Sequence, residues 1–322
     1  VFFSRLLCIM VNQPLITIIL CTYNRCTFLK EAIKSIQNQS WKNLEIIVVD
    51  DGSTDQTKAY LSMIEMNDHR FRVFSNKNQG YTCALNRALQ HTSGEYIAIH
   101  DDDDRAFPQK IEKQFAYLQD HHDIDIVGCG LIIIDENGRE LKHYLLPEKH
   151  EHLVKIQHLS PPISHVWLAR KSVYNKLKEY RINGVEDYDF LLRACSAGFR
   201  LANLPLYEME IRSHEGNTIN ALGLRQYILK KYVYQLYKER YEKGNDSHSR
   251  DKLNNILNVL PPWYSLYNYS RKLFMKANKI KKQNAIYHYL LIFFSLIISP
   301  HFFCHLFERY QYQKMINYYR KI

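Results

Sequence analysis

Four consecutive aspartates, Asp101–Asp104, follow the apolar run Tyr96–Ile99, which predicts a buried strand. Negative charge concentrated at the end of a strand is unfavourable unless a cation lies nearby. Carboxylate oxygens two residues apart suit a hard divalent ion that keeps some waters and shares its coordination with phosphate groups. An acidic loop or a set of helix-capping aspartates is the alternative, because carboxylates are also favoured at helix N-termini. Taken alone, this segment fits both.

Two more polar clusters follow predicted strands. The predicted buried strands are Leu15–Leu20, Leu44–Val49 and Tyr96–Ile99, and the polar clusters after them are residues 21–25, 50–55 and 101–104. Segments with helical spacing of apolar residues separate the strands, and this alternation predicts βαβ units in a mostly parallel sheet. Ligands on such sheets bind beyond the carboxyl ends of the strands. We therefore expect all three clusters at one edge of one sheet, which favours a ligand site.

The sequence excludes two common nucleotide-binding classes. It contains no G-x-x-x-x-G-K-[ST] motif, which argues against a P-loop NTPase, and no G-x-G-x-x-G motif after the first strand, which argues against a dinucleotide dehydrogenase. A nucleotide-sugar site fits the residue types better. Its diphosphate needs a metal or other cations, its base needs a hydrogen-bonding carboxylate, and the acceptor hydroxyl needs a general base.

These segments resemble the inverting family 2 glycosyltransferases of the bacterial surface-polysaccharide type, which have a GT-A fold. The matching segments are Ile18–Arg25, Glu45–Asp55, Asn78–Gly80, Ala84–Asn86, Gly94–Ile97 with the aspartates after it, and the pair Glu186-Asp187. The resemblance covers roughly residues 14–215. It implies an α/β fold with a Rossmann-like, mostly parallel sheet flanked by helices and followed by a helical C-terminal extension.

The resemblance implies which residues hold a nucleotide-sugar donor. They are Thr22, Tyr23 and Asn24 under the nucleotide, Asp50 or Asp51 at the uracil edge, Lys77 and Asn78 near the diphosphate, and Asp101 and Asp102. From the residues alone, Asp50–Ser53 also has the composition of a strand-to-helix turn with capping side chains. Lys77 has the simpler interpretation of a solvated surface lysine.

A D-x-D metal site is also implied by the resemblance. Asp101 and Asp103 form the motif, with Asp103 as the expected direct ligand of Mn²⁺ or Mg²⁺. His214 matches a histidine that completes the metal site in some family members. The chain contains 15 histidines, so a lone histidine at this position is in itself a weak signal.

The later acidic pair is the expected catalytic base. Inversion by a single in-line displacement requires a carboxylate that takes the proton of the acceptor hydroxyl. The resemblance assigns this role to Asp187, with Glu186 beside it, and Asp189 stays open as a third possibility. The same acids begin a predicted helix, where the helix dipole alone favours a carboxylate by about 0.3–1 kcal/mol.

Positive charge is concentrated in the last third of the chain. The net charge is +10, and residues 223–322 contain 18 Lys and Arg against 5 Asp and Glu. This asymmetry predicts a catalytic domain at 10–221 and a basic, aromatic-rich helical region at 222–322. Its charge favours an anionic partner, either a membrane surface or a nucleic acid. We expect no nucleic acid, because the sequence contains no recognised nucleic-acid-binding module.

An apolar segment, Ile286–Phe307, lies within this basic region. Its longest uninterrupted run, Leu290–Ile298, has nine residues, whereas a spanning helix needs about 20. Basic residues flank it: Lys276, Lys279, Lys281 and Lys282 before it, and Arg309, Lys314, Arg320 and Lys321 after it. This combination predicts a monotopic element on an anionic bilayer surface. A helical cap on the catalytic domain or an oligomer contact is the alternative.

The remaining features concern the compartment. The seven cysteines show no C-x-x-C motif and no regular spacing, as expected for buried thiols in a reducing compartment. Residues 1–10 lack the charged n-region and small-residue cleavage site of a secretory signal, and Met10 is a candidate start. We therefore expect a cytoplasmic protein at the inner face of the cell membrane.

Together with these features, the resemblance implies a metal-dependent enzyme of surface polysaccharide biosynthesis. It would transfer a hexosyl or N-acetylhexosaminyl group, with inversion, from a UDP-linked donor to a hydroxyl of a glycan or lipid-linked glycan. A sugar-phosphate nucleotidyltransferase could share the fold and the metal site, but it would leave Glu186 and Asp187 without a role. A non-catalytic membrane-associated scaffold is the last alternative, and the intact set Asp51, Asp103 and Asp187 argues against it.

Overall fold

A computed structural model gives the fold. It describes residues 13–214, 218–258, 261–280 and 285–321. Several residues named above lie outside the described part of the chain: Cys8, Met10, Lys281, Lys282 and the side chain of Lys279. The predicted monotopic element is therefore assessed below on the residues that are described.

The chain forms two compact units. The first contains the described residues up to Lys155 together with Pro161–His214. The second contains Ile156–Ser160 and the described residues after His214. All the polar clusters predicted to form the site belong to the first unit, and the basic region belongs to the second.

The first unit is built on one mixed sheet. Its strands are β1 (Ile16–Thr22), β2 (Leu44–Asp50), β3 (Phe71–Ser75), β4 (Tyr96–Asp101), β5 (Arg105–Ala106), β6 (Ile126–Ile134), β7 (Glu140–Tyr144), β8 (Leu168–Arg170) and β9 (Leu201–Arg212). Their order in the sheet is β3-β2-β1-β4-β8-β6-β9-β5, with β7 paired to β6. The helices are α1 (Cys26–Gln37), α2 (Thr57–Asn67), α3 (Tyr81–Leu89), α4 (Lys110–Asp120), α5 (His150–Ile156), α6 (Lys171–Leu177) and α7 (Glu186–Ser196).

The first half of the sheet is parallel, as the alternation of strands and helices predicts. β1 pairs in parallel with β2 and β4, and β2 pairs in parallel with β3. Every residue of β1 is buried, which explains why its sequence is a continuous apolar run instead of an alternating one. The second half adds antiparallel pairs, such as β4 with β8 and β6 with β8. The α/β prediction is confirmed.

Amphipathic helices complete the core. On α1, the side chains of Leu29, Ile33 and Ile36 recur at helical spacing and are fully buried in the cluster that covers the sheet. Trp41, just after the helix, is almost fully buried in the same cluster. Burying each such side chain stabilises the fold by about 1.5–3 kcal/mol. This packing fixes the loop after β1, which carries candidate site residues.

Strand β9 is longer than its sequence pattern predicts. The pattern indicates a strand at 207–212, whereas β9 begins at Leu201. Pro205 lacks a backbone N–H and interrupts the pattern. The ladder between β6 and β9 accommodates it with a register shift near Gly130, which leaves Pro205 exposed. The strand then runs on to Arg212 and delivers His214 to the sheet edge.

The second unit is helical in its described part. Its helices are α8 (Thr218–Lys243), α9 (Arg250–Asn258), α10 (Pro261–Ile280), α11 (Ala285–Ile298) and α12 (Pro300–Tyr319). α8 is broken at Gly223, whose φ of 43° is not helical. A small core of Leu224, Tyr227, Tyr267 and Phe302 joins α8, α10 and α12. No single described helix has the length and apolarity to cross a bilayer; α11 and α12 reach them only as a pair, which bends by 113°.

Candidate active site

The sheet register brings the three polar clusters together. Thr22 lies opposite Asp50 on β2, and Cys21 lies opposite Asp101 on β4. The strands β2, β1 and β4 are adjacent and parallel, so their carboxyl ends open on the same edge of the sheet. Residues far apart in sequence therefore meet at one edge of the sheet, as the strand pattern predicts, and the space beyond this edge is the candidate cleft.

Asn24 and Asp51 hold the loops at this edge. Asn24 adopts a left-handed conformation with φ of 52°, and its Oδ1 accepts a hydrogen bond from the N–H of Thr54 at 2.7 Å. Asp51 accepts hydrogen bonds from the N–H of Gln79 at 3.0 Å and of Gly80 at 2.8 Å. Both oxygens of Asp51 thus have backbone donors. These contacts give Asn24 and Asp51 a structural role in shaping the cleft.

Asp50 is placed differently from its neighbour. The residue is almost fully buried, and its Oδ1 accepts a hydrogen bond from the N–H of Ser53 at 3.0 Å. Its Oδ2 has no hydrogen-bond donor among the described residues. A buried carboxylate oxygen without a donor is costly unless a ligand supplies one. Of the two candidates for the base edge, Asp50 is therefore the one with a free acceptor atom.

Gly52 allows the loop after β3 to approach this turn. Its φ is +85°, and a Cβ at this position would lie 2.9 Å from both Asn76 O and Asn78 N. Only glycine permits this conformation together with such a close backbone approach. Lys77 and Asn78 are exposed on the approaching loop. Tyr23, on the other side of the turn, is 44% exposed, so these predicted donor contacts border the cleft and are accessible.

Asp101 is held from two sides. Its Oδ1 accepts a hydrogen bond from the hydroxyl of Tyr81 at 2.9 Å, and its Oδ2 lies 2.6 Å from Nε2 of His165. Burial raises the pKa of Asp101, but the imidazole of His165 outweighs that effect and holds the pKa well below its usual range. Conversely, burial lowers the pKa of His165, and the charge of Asp101 raises it well above its usual value. The two residues form an ion pair.

Two further aspartates of the cluster are strongly buried. Burial, with repulsion from Asp103, raises the pKa of Asp102 to about 7 although Arg25 opposes the shift. Burial also raises the pKa of Asp104 to about 7, and its Oδ1 accepts a hydrogen bond from the N–H of Arg212 at 2.8 Å. The negative charge of this cluster is therefore incompletely compensated by the protein itself, a condition that favours binding of a cation.

Asp103 faces two basic side chains. Its Oδ2 lies 2.5 Å from Nη1 of Arg25 and 2.8 Å from Nε2 of His214. His214 and Asp103 are 111 positions apart in the sequence, and β9 brings them together. The side chain of His214 also stacks at a tilt on Phe28, with 5.1 Å between ring centroids. The structure thus places His214 beside the aspartate that it was predicted to join.

The donor atoms of this cluster suit a divalent metal. Carboxylate oxygens and imidazole nitrogens are ligands of Mn²⁺, and carboxylates with water suit Mg²⁺. One group of potential ligand atoms, from Asp101, Asp104 and His165, lies within 4.8 Å. The pair Asp103 and His214 is a second. The residues present therefore fit the ion that the sequence predicts, with two imidazoles as alternative nitrogen ligands.

Glu186 begins α7 on the far side of the cleft. Its Oε2 accepts a hydrogen bond from the N–H of Gly184 at 2.5 Å and lies 3.5 Å from the hydroxyl of Thr82 on α3. Burial raises the pKa of Glu186 to about 7, and the charges of Asp187 and Asp101 contribute in that order. Glu186 is therefore within electrostatic reach of the aspartate cluster.

Asp187 and Asp189 have different surroundings on the same helix. Asp187 is half-buried, and its Oδ1 accepts a hydrogen bond from the N–H of Tyr188 at 2.6 Å. Asp189 is fully buried and accepts hydrogen bonds from Arg181, at 2.9 and 2.7 Å, and from Arg193 at 2.9 Å. A carboxylate paired with two guanidinium groups is a poor proton acceptor. Asp189 therefore anchors α7, and the open alternative for the base is disfavoured.

The side chains of Arg25, Tyr81 and His165 contact carboxylates of the cluster, and no role was assigned to them from the sequence. Arg25 directly follows the polar end of β1, and Tyr81 begins the helix after the loop held by Asp51, so their positions in the chain gave a signal. His165 lies in the irregular segment before β8. Nothing in the sequence pattern places it beside Asp101, because this contact depends on the antiparallel half of the sheet.

Comparisons with known proteins agree with this geometry. The family described as Glycosyl transferase family 2 matches residues 17–178. An uncharacterized glycosyltransferase of Haemophilus influenzae is 35% identical over 234 residues, which is 67% of this chain and 71% of the relative. The GalNAc(5)-diNAcBac-PP-undecaprenol beta-1,3-glucosyltransferase of Campylobacter jejuni is 45% identical over 94 residues, which is 29% of this chain and 30% of that protein.

Solved structures share the fold. S. aureus TarS 1-349 in complex with UDP-GlcNAc superposes with a TM-score of 0.58 at 20% identity, over 95% of this chain and 89% of that chain. The mannosyltransferase PcManGT from Pyrobaculum calidifontis, in complex with GDP-Man and Mn2+, gives 0.56 at 16% identity, over 96% of this chain and 88% of that chain. Identities this low establish the fold alone. The sequence matches go further and confirm the predicted family: the chain belongs to glycosyltransferase family 2.

Proposed function

We propose that this glycosyltransferase transfers a sugar from a UDP-linked donor to a hydroxyl of a lipid-linked glycan, with inversion at the anomeric carbon. The observation that carries the proposal is the arrangement at the sheet edge. Asp50 presents a buried carboxylate oxygen without a donor among the described residues, and the aspartate cluster begins two strands away in the same sheet. A nucleotide base at the first and a diphosphate at the second would satisfy both.

The donor is proposed from the chemistry of the cleft. A uracil presents one N–H between two carbonyl groups, and a single carboxylate oxygen such as Oδ2 of Asp50 accepts from it. Thr22, Tyr23 and Asn24 lie along the same strand end and would border the nucleotide. The TarS structure contains UDP-GlcNAc and the PcManGT structure contains GDP-Man. The first supports a UDP-linked N-acetylhexosamine or hexose, and the second keeps a GDP-linked donor as the outcome to test against it.

The acceptor is proposed from two observations. The relative from Campylobacter jejuni is named for an acceptor linked through PP-undecaprenol, and the basic C-terminal region suits an anionic bilayer surface. We infer an enzyme that acts at the inner face of the cell membrane in surface polysaccharide biosynthesis. A lipid-linked glycan would then present its terminal hydroxyl to the cleft from that surface.

Asp187 acts as the base in this proposal. It takes the proton of the acceptor hydroxyl while that oxygen attacks the anomeric carbon opposite the leaving diphosphate. Glu186, held by the N–H of Gly184, lies beside it at the acceptor side of the cleft. Asp187 is half-buried, so an acceptor can reach it. Such a base typically contributes about 10²–10⁴-fold in rate.

A divalent ion belongs to the donor side. We propose that Asp103 and His214 hold it, because Oδ2 of Asp103 faces the imidazole of His214, which can ligate an ion, and the guanidinium of Arg25, which an ion can displace. Asp101 and Asp102 would contact the donor from the same segment. When bound, the ion stabilises the charge that develops on the diphosphate leaving group. The Mn2+ in the PcManGT structure supports this proposal.

The test is nucleotide release by the purified protein. UDP-, GDP-, dTDP- and CMP-sugars are offered with Mn²⁺, and the released nucleotide is measured for the wild type, for Asp103→Asn and for the exposed control Asp123→Asn. We expect slow, metal-dependent UDP release from one donor, lost in Asp103→Asn and kept in the control. Release of GDP alone would replace the donor assignment. Failure of every nucleotide sugar to bind in calorimetry would overturn the proposal.

A further inference from the structure

Helix α11 buries its polar side chains and exposes most of its large apolar side chains. Its buried residues are His288, Leu291 and Ser295. Five large apolar or aromatic residues recur at i, i+3, i+4, i+7 and i+11 on its exposed side and form what we call the apolar stripe: Ile286, Tyr289, Leu290, Phe293 and Ile297. Three of them, Ile286, Phe293 and Ile297, are 77%, 57% and 60% exposed. A helix at a water-facing surface shows the opposite arrangement.

The buried polar side chains of α11 make hydrogen bonds, which supports this orientation of the helix. Nδ1 of His288 lies 2.9 Å from the carbonyl oxygen of Ala277 on α10, and the hydroxyl of Ser295 donates to the carbonyl oxygen of Ile292 at 2.6 Å. Turning the helix to bury the apolar stripe would break the contact with α10. The outward apolar face is therefore a property of how α11 packs.

The first part of α12 also exposes apolar side chains. Phe303, Phe307 and Tyr310 recur at i, i+4 and i+7 and are exposed, while Phe302 is buried in the core of the second unit. The same face then becomes basic, with exposed Lys314 one turn further on. Apolar residues thus lie near the bend between α11 and α12, and basic residues lie away from it.

A basic residue also lies near the start of α11, at the end of the apolar stripe away from the bend. Lys276 on α10 is exposed, and its Nζ lies 5.8 Å from the ring centroid of Tyr287 at the start of α11. From Ile286 to Ile297 the helix rises about 17 Å at 1.5 Å per residue, which is close to half of the ~30 Å hydrocarbon core of a bilayer. The apolar surface therefore matches the depth of one leaflet, with basic groups at both ends.

We propose that the apolar stripe and the adjoining face of α12 insert into one leaflet of a bilayer that contains anionic lipid. This inference rests on the proposed function in one respect, since that function needs the enzyme at a lipid-linked acceptor. Exposed basic residues of α10 and α12 form what we call the basic rim: Lys272, Lys276, Arg309, Lys314, Arg320 and Lys321. This rim favours a bilayer over a second copy of the chain as the partner. Two such rims repel one another, whereas anionic headgroups neutralise them.

Binding of the full chain to vesicles tests the inference. Flotation is measured with phosphatidylcholine vesicles that contain or lack phosphatidylglycerol. We expect binding to the anionic vesicles, lowered about tenfold or more by Phe293→Glu and by Ile297→Glu, because each puts a charge into the apolar phase. Tyr241→Glu changes an aromatic residue on α8 that is even more exposed, at 85%, and as the control it should bind as the wild type does.

The rim is tested separately. The double change Lys314→Glu with Arg320→Glu should abolish the preference for anionic over neutral vesicles. Full binding by the two stripe variants would overturn the inference, and so would a wild type that ignores anionic vesicles. A wild-type dimer in light scattering that the stripe variants convert to a monomer would assign the surface to a second copy instead.

Nucleotide release in detergent separates this inference from the proposed function. The stripe variants alter exposed positions in the second unit, so we expect them to release nucleotide at the wild-type rate without vesicles and to melt at the wild-type temperature. A protein that binds vesicles through the apolar stripe but binds no nucleotide sugar would retain the membrane surface and lose the proposed function. A protein that binds a nucleotide sugar but does not bind vesicles through the apolar stripe would retain the proposed function and lose the membrane surface.

Discussion

The Nη1 atom of Arg25 lies 2.5 Å from Oδ2 of Asp103, the same oxygen that Nε2 of His214 approaches to 2.8 Å. The guanidinium also lies 3.1 Å from Oδ1 of Asp102. Buried carboxylates need a cationic partner, and Arg25 supplies one to both Asp102 and Asp103. In the proposed metal site, Arg25 would compete with the ion for Oδ2 of Asp103.

Arg25→Gln should therefore make Mn²⁺ binding tighter, by about tenfold or more, because two unit charges 4 Å apart interact by about 4 kcal/mol at an effective dielectric constant of 20. The same change should lower the melting temperature of the metal-free protein, since Asp102 and Asp103 lose their cation. Calorimetry and thermal unfolding with and without Mn²⁺ measure both effects. Arg70→Gln, which breaks an ion pair with Asp68, is the control. Weaker metal binding by Arg25→Gln would show that Arg25 organises the ligands instead of standing in for the ion.

The two histidines of the cluster predict a second contrast. His214→Ala should weaken Mn²⁺ binding by about 10–100-fold, as expected when a metal site loses an essential partner. His165→Ala should change it less, because His165 pairs with Asp101, whose other oxygen already accepts from Tyr81. Calorimetry with metal alone measures the difference without reference to turnover. If His165→Ala has the larger effect, the ion binds at Asp101, Asp104 and His165.

The parallel half of the fold could be predicted because its strands are buried on both faces. Leu15–Leu20, Leu44–Val49 and Tyr96–Ile99 are apolar runs interrupted only by Thr17 and Glu45, and they correspond to β1, β2 and β4. Strand β8 has only three residues, Leu168–Arg170, and so leaves no periodic signal. Its antiparallel pairing with β4 and β6 is a tertiary effect. The sequence pattern therefore could not predict the order of the strands in the second half of the sheet.

The same distinction applies to the site. Asp50, Asp51 and the aspartate cluster follow predicted strands, and the parallel register alone brings them together. The sequence could not predict that Asp51 is hydrogen-bonded to the backbone while Asp50 keeps a free acceptor atom. This difference depends on where the N–H groups of Gln79 and Gly80 point. Adjacent aspartates at a turn are equivalent in a sequence and different in a structure.

Asp187→Asn should leave donor binding nearly unchanged and reduce transfer by about 10²–10⁴-fold, because the base acts on the acceptor. Asp189→Asn should behave differently. It removes the charge of a fully buried carboxylate that pairs with two arginines. Loss of one partner of a buried ion pair typically costs about 3–5 kcal/mol of stability. Donor calorimetry, transfer rates and melting temperatures separate the two variants. Loss of donor affinity in Asp187→Asn would remove Asp187 from the role of base.

The raised pKa of Glu186 predicts how stability depends on pH. Burial moves the pKa of Glu186 from 4.5 to about 7, so between these values the folded protein binds a proton that the unfolded chain has released. Stability therefore falls as pH rises through this window, by up to about 3 kcal/mol, and levels off above pH 7. Glu186→Gln has no such proton to lose. Its melting temperature relative to the wild type should rise from pH 5 to pH 8, whereas the exposed control Glu242→Gln should show a constant difference. A constant difference for Glu186→Gln as well would mean that the pKa of Glu186 lies near its ordinary value. Burial and the charges of Asp187 and Asp101 would then not raise it.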